Sequence, residues 1–243
     1  MHRILVGIVL LSIWELIVKL ASLPLYILPG PLVIFKSLLI NAHLIATHAL
    51  ITGGETLLGL LIAIVLGVTS ALILDHFTRL QHFLRPVLLT LQATPPFVLM
   101  PVLLLWCGFG LMPKLIVICL SCYFPITVCL LDGLKRSPSP WLDMATIMHA
   151  SPKTRLWFVR FPATLPTLIS GIRLAAIHAP LTVLAADWIG ASSGLGYLIM
   201  LSHGRLQVDL MFACVICVIF MVFGLNKLVQ VLEKKLIFWP SVT

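Results

Sequence analysis

Two Cys-x-x-Cys pairs, Cys119/Cys122 and Cys214/Cys217, have the spacing of a zinc or dithiol site. Both lie inside apolar runs with no His or Asp nearby, so they read as small apolar packing residues. The eight histidines are scattered, and no H-E-x-x-H pattern sets two of them beside a general base. There is no G-x-x-x-x-G-K-[ST] loop to cradle nucleotide phosphates. Neither catalytic residues nor a metal site is expected, and any ATP the protein uses must be bound by another subunit. What remains are polar groups stranded in apolar sequence, where burial in lipid is costly. Glu15 and Lys19 are four apart, the spacing of a helical ion pair. Glu55, Gln92 and Asp187 are candidates to line a pathway, and Asp187 reads equally as a hydrogen-bonded anchor at the interface. His178 and Pro180 read as a local bend.

The elements that hold these groups are apolar helices. Of 243 residues, 60% are hydrophobic and 10% charged, against about 25% charged in soluble domains. Apolar runs of about 20 residues indicate a helical membrane protein, and their lack of alternation excludes a membrane β-barrel. Six spans are expected, near 4–21, 51–74, 86–107, 113–132, 167–189 and 209–232. Between the first two, a Pro/Gly turn and a His-flecked segment read as an interfacial helix. In the third, Pro95, Pro96 and Pro101 require a kink or an unwound turn. That irregularity suits either a helix lining a pathway or a packing kink.

The cations set the orientation. With the N-terminus inside, twelve of the 16 Lys and Arg residues fall in cytoplasmic segments and four outside, a positive-inside bias that places both termini in the cytoplasm. The net charge of +8 is thereby explained by topology, and no nucleic-acid partner is expected.

The largest polar interruption is WLDMATIMHASPKTRLWFVRFP, residues 141–162. Pro138 and Pro140 end the approach from span four, and a helix WLDMATIMHA follows. Ser151 is placed to cap a new helix with Pro152 at its first position. Leu156, Trp157 and Phe161 then stand among Lys153, Arg155 and Arg160, and Pro162 and Pro166 are expected to break the helix before span five. A helix–turn–helix with an apolar ridge suits docking into a partner's groove. Contact with anionic lipid and a simple topogenic loop are the alternatives.

This stretch, D-M-A-x-x-x-H-A-S-x(7)-V-R-F-P, resembles the cytoplasmic signature E-A-A-x(3)-G-x(9)-I-x-L-P of bacterial ABC-importer permeases. Asp143, Met144 and Ala145 take the E-A-A places, Val159 the Ile place, and Phe161-Pro162 the L-P. His149 stands where the family has Gly; if that position needs positive φ, His costs more than Gly there. GETLLGLLIAIVLG, QATPPFVLMPVLLLWCGFG, FPITVCLLDGLKR and AADWIGASSGLGYLI are similar to permeases for nitrate, alkanesulfonates, taurine or pyrimidine thiamin precursors, and look most like the hydroxymethylpyrimidine branch. The resemblance implies an all-α, type I ABC-importer transmembrane subunit: one permease domain over residues 1–243, in the bacterial inner membrane. It implies a coupling loop at about 137–166, with Asp143, Met144, Ala145, His149, Ala150, Ser151, Leu156, Trp157 and Pro162 meeting the ATPase. It also implies a pathway or gate that includes Glu55, Gln92, Pro95, Pro96, Asp187, Gly194 and Gly196. The implied partners are cytoplasmic subunits that bind ATP and magnesium, a periplasmic or lipid-anchored substrate-binding protein, a second copy of the chain, and membrane lipid. The chain itself is expected to bind no cofactor and to be no enzyme. An ion-gradient-driven secondary transporter is the alternative; it would use Glu55 and Asp187 as ion sites, but the paired broken spans of an inverted repeat are missing.

Overall fold

With no water to bond the backbone, apolar runs must satisfy their own N–H and C=O groups, which helices do. The computed structural model describes residues 2–237, except for the side chains of 2–4, 89 and 91–93, and every regular element among the described residues is helical. In chain order these are α1 (His2–Leu20), α2 (Pro31–Ile40), α3 (Ala42–His76), α4 (Thr78–Ala93), a 3-10 turn (Pro96–Leu99), α5 (Met100–Cys107), α6 (Leu111–Lys135), α7 (Ser139–Ile147) and α8 (Pro152–Arg155). A π turn (Leu156–Arg160), α9 (Phe161–Asp187), α10 (Leu195–Gly204) and α11 (Val208–Leu236) complete the order.

Among the described residues four helices are long and apolar enough to cross a bilayer: Ala42–His76, Leu111–Lys135, the continuous Pro152–Asp187 and Val208–Leu236. The expected first span corresponds to α1, whose apolar side chains from Leu5 to Leu20 are mostly exposed. The expected third span is two short helices. Each proline stands where a helix has no use for its N–H: Pro95 caps the 3-10 turn, Pro96 opens it, and Pro101 is in the first turn of α5. The second span starts at Ala42, earlier than the apolar run suggests. The His-flecked segment is therefore split between α2 and the first turns of α3.

Pro162 and Pro166 do not break the chain before span five, contrary to expectation; the helix runs on from Pro152 to Asp187. The π turn immediately before Pro162 widens the hydrogen-bond ladder where the proline cannot donate. Nearby hydroxyls back-bond to the same helix: Thr164 Oγ1 donates to Arg160 O at 2.7 Å and Ser170 Oγ to Pro166 O at 2.9 Å.

The chain divides into two compact units, one from the N-terminus to Gly54 with Leu184–Met221, the other Glu55–Val183 with the stretch from Val222 onward. In the first, Glu15 pairs with Lys19 at 3.2 Å, as its spacing predicts. Its Oε2 also accepts the Leu32 N–H at 3.4 Å, at the start of α2. In the second, α6 supplies the centre, with Val117, Ile118, Cys122, Ile126 and Leu130 fully buried. Small residues every fourth position of α3, Gly59, Ala63, Gly67 and Ala71, let it approach α6. A Cβ on Gly59 would lie 2.5 Å from Ile118, and one on Gly67 would lie 2.9 Å from Ile126. From the other side α9 presents Gly171, Ala175 and Ala179, and Cys122 Sγ donates to Ala175 O at 3.6 Å. All six cysteines are free thiols, and Cys122 and Cys214 are buried as packing residues.

Candidate functional site

In the polar interruption α7 ends on a turn set by its hydrogen bonds. The Ala150 N–H donates to Ala145 O and the His149 N–H to Thr146 O, both at 2.9 Å. That pair of bonds is a Schellman motif, which needs a left-handed residue at its apex. The apex is His149, with φ of +53°. Ser151 then caps α8, accepting the Thr154 N–H at 3.2 Å, with Pro152 in the first turn. Arg155 braces the turn through Nε to Ala150 O at 3.0 Å and a second nitrogen to Thr146 Oγ1 at 3.2 Å. A β-branched or aromatic side chain at 149 would be strained; His is tolerated at a cost of about 1–2 kcal/mol. Gly would remove that strain but loosen the unfolded chain by about 0.4–1 kcal/mol. His149→Gly is therefore expected to raise stability by about 0.5–1 kcal/mol by these two terms. Thermal unfolding in detergent checks this, and a lowered midpoint would show that the imidazole has contacts worth more than the strain.

The segment is tied to the long helices of its own unit. Arg160 makes two 2.8 Å bonds to the Asp75 carboxylate on α3 and a third, at 3.1 Å, to Leu134 O on α6. Such a bidentate pair fixes direction as well as distance. Two more cation–carboxylate pairs, Arg85 with Asp132 at 3.2 Å and Arg173 with Glu233, join elements of the same unit. Arg155 and Arg160, whose sequence role was charge bias, are thus structural braces. Asp75 escaped notice because its partner lies 85 positions away.

The predicted ridge is exposed only in part. Trp157 is exposed, its ring 5.3 Å from that of Phe161, but Leu156 is half-buried and packs on the apolar core of its unit. Phe158, in the π turn, is 79% exposed and borders one cleft with Met148, which is 71% exposed. Trp141, Met144, Met148, Phe158 and Pro162 border a shallow cleft of about 290 Å³. Of the other predicted residues, Asp143 and Ser151 are exposed, Ala150 is half-buried, and Ala145 is buried under α7. Asp143, Met144 and Ala145 therefore do not share one surface.

The predicted pathway residues separate into local constellations. In the first unit, three side chains cap the N-terminus of α10: His48 Nδ1 accepts the Gly194 N–H at 3.0 Å, Thr52 Oγ1 the Leu195 N–H at 2.8 Å, and Asp187 Oδ2 the Gly196 N–H at 3.2 Å. These are the N–H groups a helix start leaves without partners, and a carboxylate suits the positive end of the dipole. Gly194 has φ of +105°, and a Cβ on Gly196 would lie 2.6 Å from Leu184 O, so both glycines are demanded by this cap. The Asp187 carboxylate thus takes part in a helix cap. In the second unit Glu55 is buried and its Oε1 accepts from Lys114 Nζ at 2.9 Å. Lys114 was counted only as an outer cation; a buried acid requires a partner, and that requirement is the signal that could have found it. Pro95 and Pro96 form the break after α4, and the Gln92 side chain lies outside the described residues. Among the described residues no three His, Cys, Asp or Glu side chains converge as a metal site would.

Residues 59–238 match the model of a family described as "Binding-protein-dependent transport system inner membrane component". The chain is 40% identical to a "Probable ABC transporter permease protein" of Haemophilus influenzae, over 87% of this chain and 86% of that one. It is 31% identical to the "Formylaminopyrimidine transport permease protein ThiX" of Halalkalibacterium halodurans, over 77% and 75%. Its fold is similar to a chain of an inward-facing MetNI methionine ABC transporter, with a TM-score of 0.67 at 15% identity, over 76% of this chain and 93% of that one.

Proposed function

From the premise that the chain belongs to the family of binding-protein-dependent transport system inner membrane components, we propose that it is the permease subunit of an ATP-driven importer whose coupling element is α7 and the turn into α8. Membership makes it an ABC transporter permease and a multi-pass membrane protein. In the proposed arrangement α1 and the α4–α5 pair complete six crossings, with both termini in the cytoplasm. Two copies pair above two ATP-binding subunits, and an external binding protein delivers the solute. The single observation that carries the coupling role is the exposed apolar ridge of Met148 and Phe158, held by a braced turn and by Arg160 on Asp75. A rigid apolar projection anchored to the long helices can move them when a partner moves it.

Mechanistically, closure of the ATPase dimer on ATP favours one conformation of the permease because the closed dimer fits only that one. The docked ridge transmits the displacement, and Arg160 passes it to α3 and α6. ATP and magnesium belong to the partner. The proposed solute is a pyrimidine precursor of thiamin, on the likeness to a relative named for formylaminopyrimidine transport; nitrate, taurine and alkanesulfonates are the other members of the class. Mass spectrometry of the ligand carried by the purified binding protein decides among these.

Uptake by the reconstituted complex is expected to vanish when the partner's phosphate-loop lysine is replaced. A gradient-driven carrier would be indifferent to that change, so full uptake in the variant would overturn the reading. The carrier alternative also sits poorly with Glu55, which holds a Lys114 ion pair, and with Asp187, which holds a helix cap.

A further inference from the structure

Helix α4 carries three sectors where an interface helix on a soluble protein needs two. Gln81, Leu84 and Leu88 point into the unit, the first and last of them buried. At 100° per residue, Leu80, Phe83 and Val87 form an exposed apolar stripe on one flank, with Phe83 at 73% exposure. On the other flank Arg79, His82 and Arg85 form a basic stripe, continued by His76 at the end of α3. Phe77, in the elbow between the two helices, is exposed as well and lies edge-on to His76 at 4.8 Å. Beside the elbow, His76, Phe77, Thr78, Arg79 and Leu80 bound an open cleft of about 500 Å³.

An apolar stripe open to water would be costly, and cations beside it would be indifferent to a neutral lipid. Together they match one environment, the boundary between acyl chains and anionic headgroups, where apolar side chains insert and Lys or Arg meets phosphate. We propose that the α3–α4 elbow is a binding surface for anionic phospholipid, with Arg79 beside the cleft meeting the headgroup phosphate and Phe83 and Leu80 meeting the acyl chains. Arg85 contributes less, because Asp132 already holds it at 3.2 Å. The surface shares no lining residue with the cleft at the α7 ridge and does not depend on the transport reading.

The test uses the full chain, purified in detergent and titrated in native mass spectrometry with phosphatidylglycerol or phosphatidylcholine. Phosphatidylglycerol is expected to bind at least about fivefold more tightly, the increment one surface cation supplies. Arg79→Gln is expected to erase that preference while leaving phosphatidylcholine binding and the melting midpoint unchanged. Phe83→Ser is expected to weaken both lipids alike. Equal binding of the two lipids by the parent chain, or an Arg79→Gln chain that keeps its preference, overturns the proposal. So does competition by equimolar inorganic phosphate, which would mark a bare anion site. Loss of the preference once the ATPase subunits are bound would assign the surface to a protein contact and overturn it equally.

Discussion

Lys114→Met is expected to cost about 3–5 kcal/mol, the penalty for leaving a buried carboxylate without its cation. Lys114 and Glu55 are 5% and 7% exposed, with Nζ and Oε1 2.9 Å apart. Water cannot replace the lost partner at this depth, so the chain must unfold locally, admit water or neutralise the acid. Glu55→Gln alone is expected to cost less, because the amide oxygen can still accept from Nζ. The two changes should not add. Once one charge is gone, removing the other relieves a penalty, so the double variant Glu55→Gln/Lys114→Met should be no worse than the poorer single. A double-mutant cycle on detergent thermal stability, or on the yield of folded protein in the membrane, measures the coupling. Additive costs would mean that the two groups stabilise the fold independently, and the ion pair would lose its assigned role. Lys36→Met serves as the control.

The second large effect is at the ridge. Alanine at Met148 and Phe158 removes side chains that the isolated chain leaves exposed, so membrane abundance should stay within about twofold, as for surface changes generally. Apolar anchors that fill a partner's groove each contribute about 2 kcal/mol or more to binding, so losing two should lower uptake by well over tenfold. ATP hydrolysis by the reconstituted complex should then no longer respond to the loaded binding protein. Leu156→Ala should behave in the opposite way. Its side chain packs on the core, so the change should reduce folded protein by about 2 kcal/mol of stability without specifically uncoupling what remains. Wild-type coupling in the Met148/Phe158 variant would move the docking surface elsewhere. Equal behaviour of the two variants would mean that exposed and core-packed side chains of this segment do not differ in function.

Much of this protein was legible from its residues in order. Apolar run length without alternation indicated a helical, embedded chain, because lipid leaves the backbone only helices or closed barrels. The Ser151-Pro152 pair announced a helix start from the chemistry of two adjacent residues; a left-handed turn at His149 was only a condition raised by the family resemblance. The prolines of the third span announced a break for the same local reason. Tertiary structure alone decided the rest. Pro162 looked like a stop, but a π turn one residue upstream absorbs its missing N–H, and that widening needs neighbouring helices to hold it. Leu156 packs inward and Phe158 stands outward, a choice set by what the rest of the unit covers. Glu55 with Lys114, Arg160 with Asp75, and the three caps on α10 join positions between nine and 146 residues apart. Sequence showed that each such group needs a partner; only the folded chain chose which one, because an ion pair or a cap exists at a distance of about 3 Å and sequence separation carries no information at that scale.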